Sequence, residues 1–131
     1  LFANEISFQP LKIAEAPSSM QKIIKYFLIF HDVLSFIRSN NLINFVWHQN
    51  GKMHILIAQR VSSELNSSIE ITQIKKSALN VYVKWRTIPA SDTAEFLQGK
   101  KHQYSYQLVS IDKEVSNIEH RFGGVDFEEI K

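Results

Sequence analysis

Residues 42–59 read LINFVWHQNGKMHILIAQ, two apolar runs, Leu42–His48 and Met53–Gln59, on either side of Gln49, Asn50, Gly51 and Lys52. Asn-Gly is the strongest two-residue hairpin signal, because both central positions of a type I′ turn need positive φ. Folding the chain about Asn50-Gly51 sets Trp47 opposite His54, Phe45 opposite Leu56 and Val46 opposite Ile55. Side chains alternate between the faces of a strand, so Phe45 with Leu56 and Val46 with Ile55 make two apolar faces. Such a hairpin is covered on both sides or lies in an interface. A competing pattern runs through the same residues: Ile57, Val61 and Leu65 keep helical spacing, which would make Met53–Leu65 a helix instead.

Upstream, Pro17 punctuates the chain and Ser18-Ser19-Met20-Gln21 has the form of a capping box, with Ser18 as cap and Gln21 three residues later. The spacing predicts a helix over 19–39. Its polar residues Gln21, Lys25, Asp32, Ser35 and Ser39 share one narrow stripe, and the rest is largely apolar: Ile23, Ile24, Phe27, Phe30, Leu34 and Ile37, flanked by Tyr26, Leu28, Ile29, Val33 and Phe36. A stripe this wide means a helix buried on more than one side, as the central helix of the domain or against a partner. Asn40-Asn41 suit its C-terminal stop. Before the helix, Ile6, Phe8, Leu11 and Ile13 alternate around Pro10, so residues 5–14 read as an extended edge segment.

The second half is β. Ile69 and Ile71, then Leu79, Val81, Val83 and Trp85, alternate with Asn80, Tyr82, Lys84 and Arg86, the pattern of a half-exposed antiparallel strand. Residues 89–102 read as a long loop, Tyr104–Ile111 as a strand, Asp112–Glu114 as a turn and Val115–Phe122 as the last strand, ended by Gly123-Gly124. The expectation is one α+β domain over 1–131: a long N-terminal helix packed on a curved antiparallel sheet of four to six strands. In element order this resembles the cystatin-like and NTF2-like group, where a curved sheet forms a cone around a helix. A ferredoxin-like arrangement is the alternative.

Composition closes several doors. Apolar residues are 44% of the 131 and charged residues 21%, which excludes disorder. With no cysteine, disulfides, thiolate metal sites and cysteine nucleophiles are excluded. The net charge is +2, low for a dedicated nucleic-acid module. No stretch reaches the ~20 apolar residues of a membrane helix. The chain begins at Leu1 rather than Met, which reads as processing or excision from a longer chain. A removed signal or anchor stays open, and cytoplasm and periplasm fit equally.

Few residues announce chemistry. His31-Asp32 would line a pocket, but adjacent helical positions point about 100° apart. His48 and His54 fall on opposite faces of the hairpin. No His-x-x-x-His spacing, phosphate loop or serine elbow occurs, so no catalytic residue, metal or cofactor is expected. A ligand pocket, if present, would draw on Tyr26, His31, Asp32, His48 and Trp85. Tyr82, Lys84 and Arg86 share one strand face, and with Lys100, Lys101 and Tyr104 they form the aromatic-and-cation pattern of single-strand nucleic-acid binders; any exposed strand carries the same residue types. Lys100, Lys101 and His102 otherwise read as a solvated loop, and Asp126, Glu128 and Glu129 as a solvated acidic tail. The surplus of apolar surface points first to a non-catalytic interaction or assembly domain, self-associating or docking a protein partner, with Phe27, Phe30, Phe36, Val46 and Ile55 at the interface. A small-molecule binder or pocket enzyme comes second and a nucleic-acid binder third.

Overall fold

The computed structural model describes residues 4–34 (side chains as far as Phe30), 42–49, 51–61, 67–77, 80–92, 94–112 and 124–131. The predicted hairpin is there. β3 (Leu42–Gln49) and β4 (Lys52–Arg60) pair antiparallel with Trp47 opposite His54, Phe45 opposite Leu56 and Val46 opposite Ile55. Gly51 holds φ +70°, a left-handed conformation that glycine adopts at little cost. The helical alternative for Met53–Leu65 is overturned, since Lys52–Arg60 is strand. Strand wins because β4 is covered on both faces, so its continuous apolar run needs no helical stripe.

Around this hairpin the chain builds two sheets. One runs β2 (Gln9–Leu11), β8 (Gln103–Asp112), β4, β3, with short β7 (Phe96–Gln98) also on β8. The other runs β1 (Asn4–Glu5), β5 (Ser67–Lys76), β6 (Val81–Pro89), β9 (Val125–Glu129). All pairings are antiparallel except β6 with β9. The fold is therefore α+β, with one helix among the described residues and mostly antiparallel sheet. The strands divide between two sheets where a single sheet of four to six was expected. β2 and β7 lie end to end along the edge of β8, at Leu108–Ser110 and at Gln103–Ser105. Pro10 sits in the short edge strand β2, where a missing N–H costs no ladder bond.

Two cores follow from the alternation. Between the sheets lie Met53, Ile55 and Ile57 of β4, Ile69, Ile71 and Ile74 of β5, Val81, Val83 and Trp85 of β6, and Val109 and Ile111 of β8. On the other face of the β4–β8 sheet, Leu56, Ala58, Tyr104 and Leu108 pack with Met20, Ile24 and Leu28 of α1 (Ser18–Leu34). Each fully buried large aliphatic contributes about 1.5–3 kcal/mol, and β4 and β8 each serve both cores.

The helix starts one residue earlier than predicted, and its cap differs. The Pro17 carbonyl accepts the Gln21 N–H (3.0 Å), so Ser18 is already inside the helix. The Gln21 amide turns back to the carbonyls of Ala16 (2.8 Å) and Ala14 (3.4 Å). Proline at the cap offers no N–H for a capping box to close on. The helix is also not central. Met20, Ile24 and Leu28 form a single buried row, while Tyr26, Phe27, Ile29 and Phe30 are exposed.

β9 was missed: Asp126, Glu128 and Glu129 belong to a strand, with Val125 and Phe127 packed against the inter-sheet core. β7 lies inside the expected loop 89–102. The end of the predicted helix, the Asn40-Asn41 stop, Leu79 and the predicted strand Val115–Phe122 lie outside the described residues.

Candidate functional site

Three surfaces carry candidate functional residues, and they lie on different parts of the fold. The first is the outer face of α1. Tyr26 is 62% exposed and Phe30 61%, with Phe27 and Ile29 also exposed. Phe27 meets Phe45 of β3 edge-on, ring centroids 5.1 Å apart, and Phe45 stacks on Trp47 at 6.0 Å. Both β3 rings are half-buried against the helix-side core. The apolar surface thus continues from the helix onto the sheet. It is made by side chains of one short stretch, because Met20, Ile24 and Leu28 already saturate the sheet-facing row. The largest apolar patch of a monomer spans a few hundred Å² and is often functional.

The second is an open cleft of about 560 Å³ at the start of α1, where Ser18 meets Gln49, Lys52, His54 and Ser110. Strand register builds its floor: Trp47, His54 and Ser110 are direct neighbours across β3, β4 and β8. His54 is buried and its Nδ1 has no hydrogen-bond partner. Burial pushes its pKa below the ordinary imidazole value; the backbone hydrogen bond at Trp47 opposes this and the Lys52 charge reinforces it. Ser19 Oγ and Trp47 Nε1 both reach Gln49 Oε1 at 2.8 Å, which fixes that amide at the rim. Outside the lining residues, the Tyr106 hydroxyl accepts the Ile13 N–H and donates to Glu95 Oε2, both at 3.1 Å.

The third is the outer face of the β5–β6 sheet. Tyr82, Lys84 and Arg86 do share it, as the alternation predicts. Acid lines both sides. β9 sets Asp126 beside Tyr82 and Glu128 beside Lys84, and Glu70 binds Arg86 through Nε (3.0 Å) and Nη2 (2.8 Å). This face carries mixed charge and lacks the net positive field that phosphate binding draws on.

The remaining sequence candidates scatter. Lys100 and Lys101 are exposed in the turn between β7 and β8, on the other sheet from Tyr82, and Tyr104 is fully buried under the helix. Those three do not join the Tyr82 face. Trp85 and Ile55 are buried between the sheets; apolar alternation does not tell core from surface. Val46 is half-buried against the same core. His48 is exposed on β3, opposite Met53, and Tyr26 lies on the outer helix face away from the cleft. The side chains of His31 and Asp32, and all of Phe36, lie outside the described residues. His54 was not among the expected ligand-binding residues, and its signal was the register that sets it beside Trp47.

Among the described residues no group of three His, Asp or Glu could hold a metal ion, and no helix is long and apolar enough to cross a membrane. No family model, curated protein or solved structure matches the chain.

Proposed function

We propose that this is a non-catalytic interaction domain whose outer α1 face docks a protein partner within a larger assembly. The observation that carries this is the exposure of Tyr26, Phe27, Ile29 and Phe30 on a helix whose sheet-facing row is already filled. Side chains of this size are enriched at the centres of interfaces, where their burial supplies most of the affinity. The test is capture from source-cell lysate after nuclease, comparing the wild type with a folded Tyr26→Ser/Phe30→Ser variant. A stoichiometric protein held by the first and lost by the second supports the proposal. Equal capture by both, or none by either, refutes it.

The cleft favours a second use, binding of a small polar ligand, because His54 presents a buried nitrogen without a partner beside Lys52. His54→Gln abolishing a ligand-induced rise in Tm would support it. The cone shape of the cystatin-like and NTF2-like folds is likewise a proposal, supported by element order and by the packing of one helix on one sheet face.

A further inference from the structure

We propose that the segment docked on α1 is an acidic, amphipathic helix of another protein; this rests on the interaction proposal above and adds the partner's chemistry. The exposed stripe has two halves along its axis. Lys22 and Lys25 occupy the N-terminal half and Tyr26, Ile29 and Phe30 the C-terminal half, all exposed. From Ser18 to Phe30 there is no carboxylate at all. Cations near a helix N-terminus oppose the positive end of its dipole, and acids are favoured there. The first turn of α1 holds no acid, and Lys22 and Lys25 follow in its second and third turns. The ion pairs among the described residues, Lys12 with Glu95 and Arg86 with Glu70, leave both lysines out. The complement of this face is apolar at one end and anionic at the other.

Spacing and area set the partner's size. Positions 22, 25, 26, 29 and 30 recur at i, i+3/i+4, i+7/i+8, a straight ridge of ~12 Å that one facing helix of two to three turns would cover. The three large side chains of this ridge, Tyr26, Ile29 and Phe30, expose on the order of 300 Å², under half of the ~800 Å² per partner of a standard interface. That suits a docked segment better than a stable homodimer. A lipid-surface helix spreads its cations along the whole apolar stripe, whereas here charge and apolar surface follow one another along the axis.

The experiment is to pan a library of 16-residue helical peptides on the intact protein and measure an enriched peptide by fluorescence anisotropy. The expected winners combine Asp or Glu at one end with apolar residues at i, i+3 and i+4. Tyr26→Ser/Phe30→Ser should abolish their binding, and Lys22→Glu/Lys25→Glu, folded by circular dichroism, should weaken it about tenfold and flatten its salt dependence. Winners without acidic bias that still need Tyr26 and Phe30 would overturn the acidic partner and leave the interaction proposal standing. Dimerisation in sedimentation velocity, or co-sedimentation with phosphatidylserine vesicles, abolished by Tyr26→Ser/Phe30→Ser would overturn it in favour of those occupants. Winners indifferent to Tyr26 and Phe30 would overturn both.

Discussion

Phe27 of α1 and Phe45 of β3 meet edge-on, their planes inclined by 62°. This contact ties the exposed helix face to the edge of the sheet beneath it. Aromatic pairs in this geometry gain energy beyond their area, because the positive ring edge faces the negative ring face. A double-mutant cycle on Phe27→Ala and Phe45→Ala, followed by urea unfolding, should return a coupling energy of ~1 kcal/mol. A coupling near zero would mean the rings merely touch.

β4 should be intolerant on both faces. Ile55 points between the sheets and Leu56 toward the helix, and both are buried. Ile55→Ala and Leu56→Ala should each cost ~2–5 kcal/mol, as cavities in cores that relax only partly. At the outer edge of an ordinary two-layer domain, one of two adjacent strand positions would be nearly silent. Urea midpoints of the two variants decide the matter.

His54 predicts acid sensitivity. Its folded pKa lies below the ordinary value near 6.5, mainly through burial. Below that pH the unfolded chain binds a proton that the folded one does not, so folding loses free energy. Stability from this group is present above pH ~6.5 and falls as pH drops toward the folded pKa. His54→Gln should flatten this part of the stability profile, measured by urea unfolding at stepped pH. An unchanged slope would contradict the buried neutral imidazole.

Tyr106 predicts the opposite flank. Burial raises its pKa above 10; the Ile13 hydrogen bond opposes the rise, and Glu95 and Glu15 add to it. The protonated phenol is favoured on folding, so its contribution is intact below pH ~10 and is lost as pH climbs through the folded value. Tyr106→Phe should remove that alkaline loss, and a spectrophotometric titration of the phenolate should lose a late-ionising component in the variant.

Gly51 predicts a purely conformational cost. A Cβ there would meet nothing within 4 Å, yet φ is +70°. Gly51→Ala should destabilise by ~1–2 kcal/mol although there is room for the methyl group. Gly51→Asn, which tolerates left-handed backbone, should recover part of the loss.

Legibility in the sequence followed locality. Asn50-Gly51 writes a register that needs only its neighbours, and the structure reproduces it pair by pair. The alternation of Val81, Val83 and Trp85 against Tyr82, Lys84 and Arg86 was equally local. What failed depended on distant chain. α1 has apolar residues around most of its circumference, and only the sheet beneath decides that Met20, Ile24 and Leu28 go inside while Tyr26 and Phe30 stay out. β9 alternates Val125 and Phe127 with Asp126 and Glu128, but its acids resemble a solvated tail until β6 is set beside it. The cleft was invisible because it joins a helix start to the start of β4 and the end of β8.

The pairing of Gln9 with Ser110 has a consequence for how the chain is made. During synthesis β2 leaves the ribosome long before its partner β8, which lies far along the chain. Until then the inner edge of β4, later sealed by β8, is a bare template of Ile55, Leu56 and Ile57. Contacts this distant in sequence form slowly, on the ms–s scale typical of β-rich topologies. A nascent chain arrested before Gln103 should therefore bind holdase chaperones avidly, and release from them should coincide with the arrival of β8.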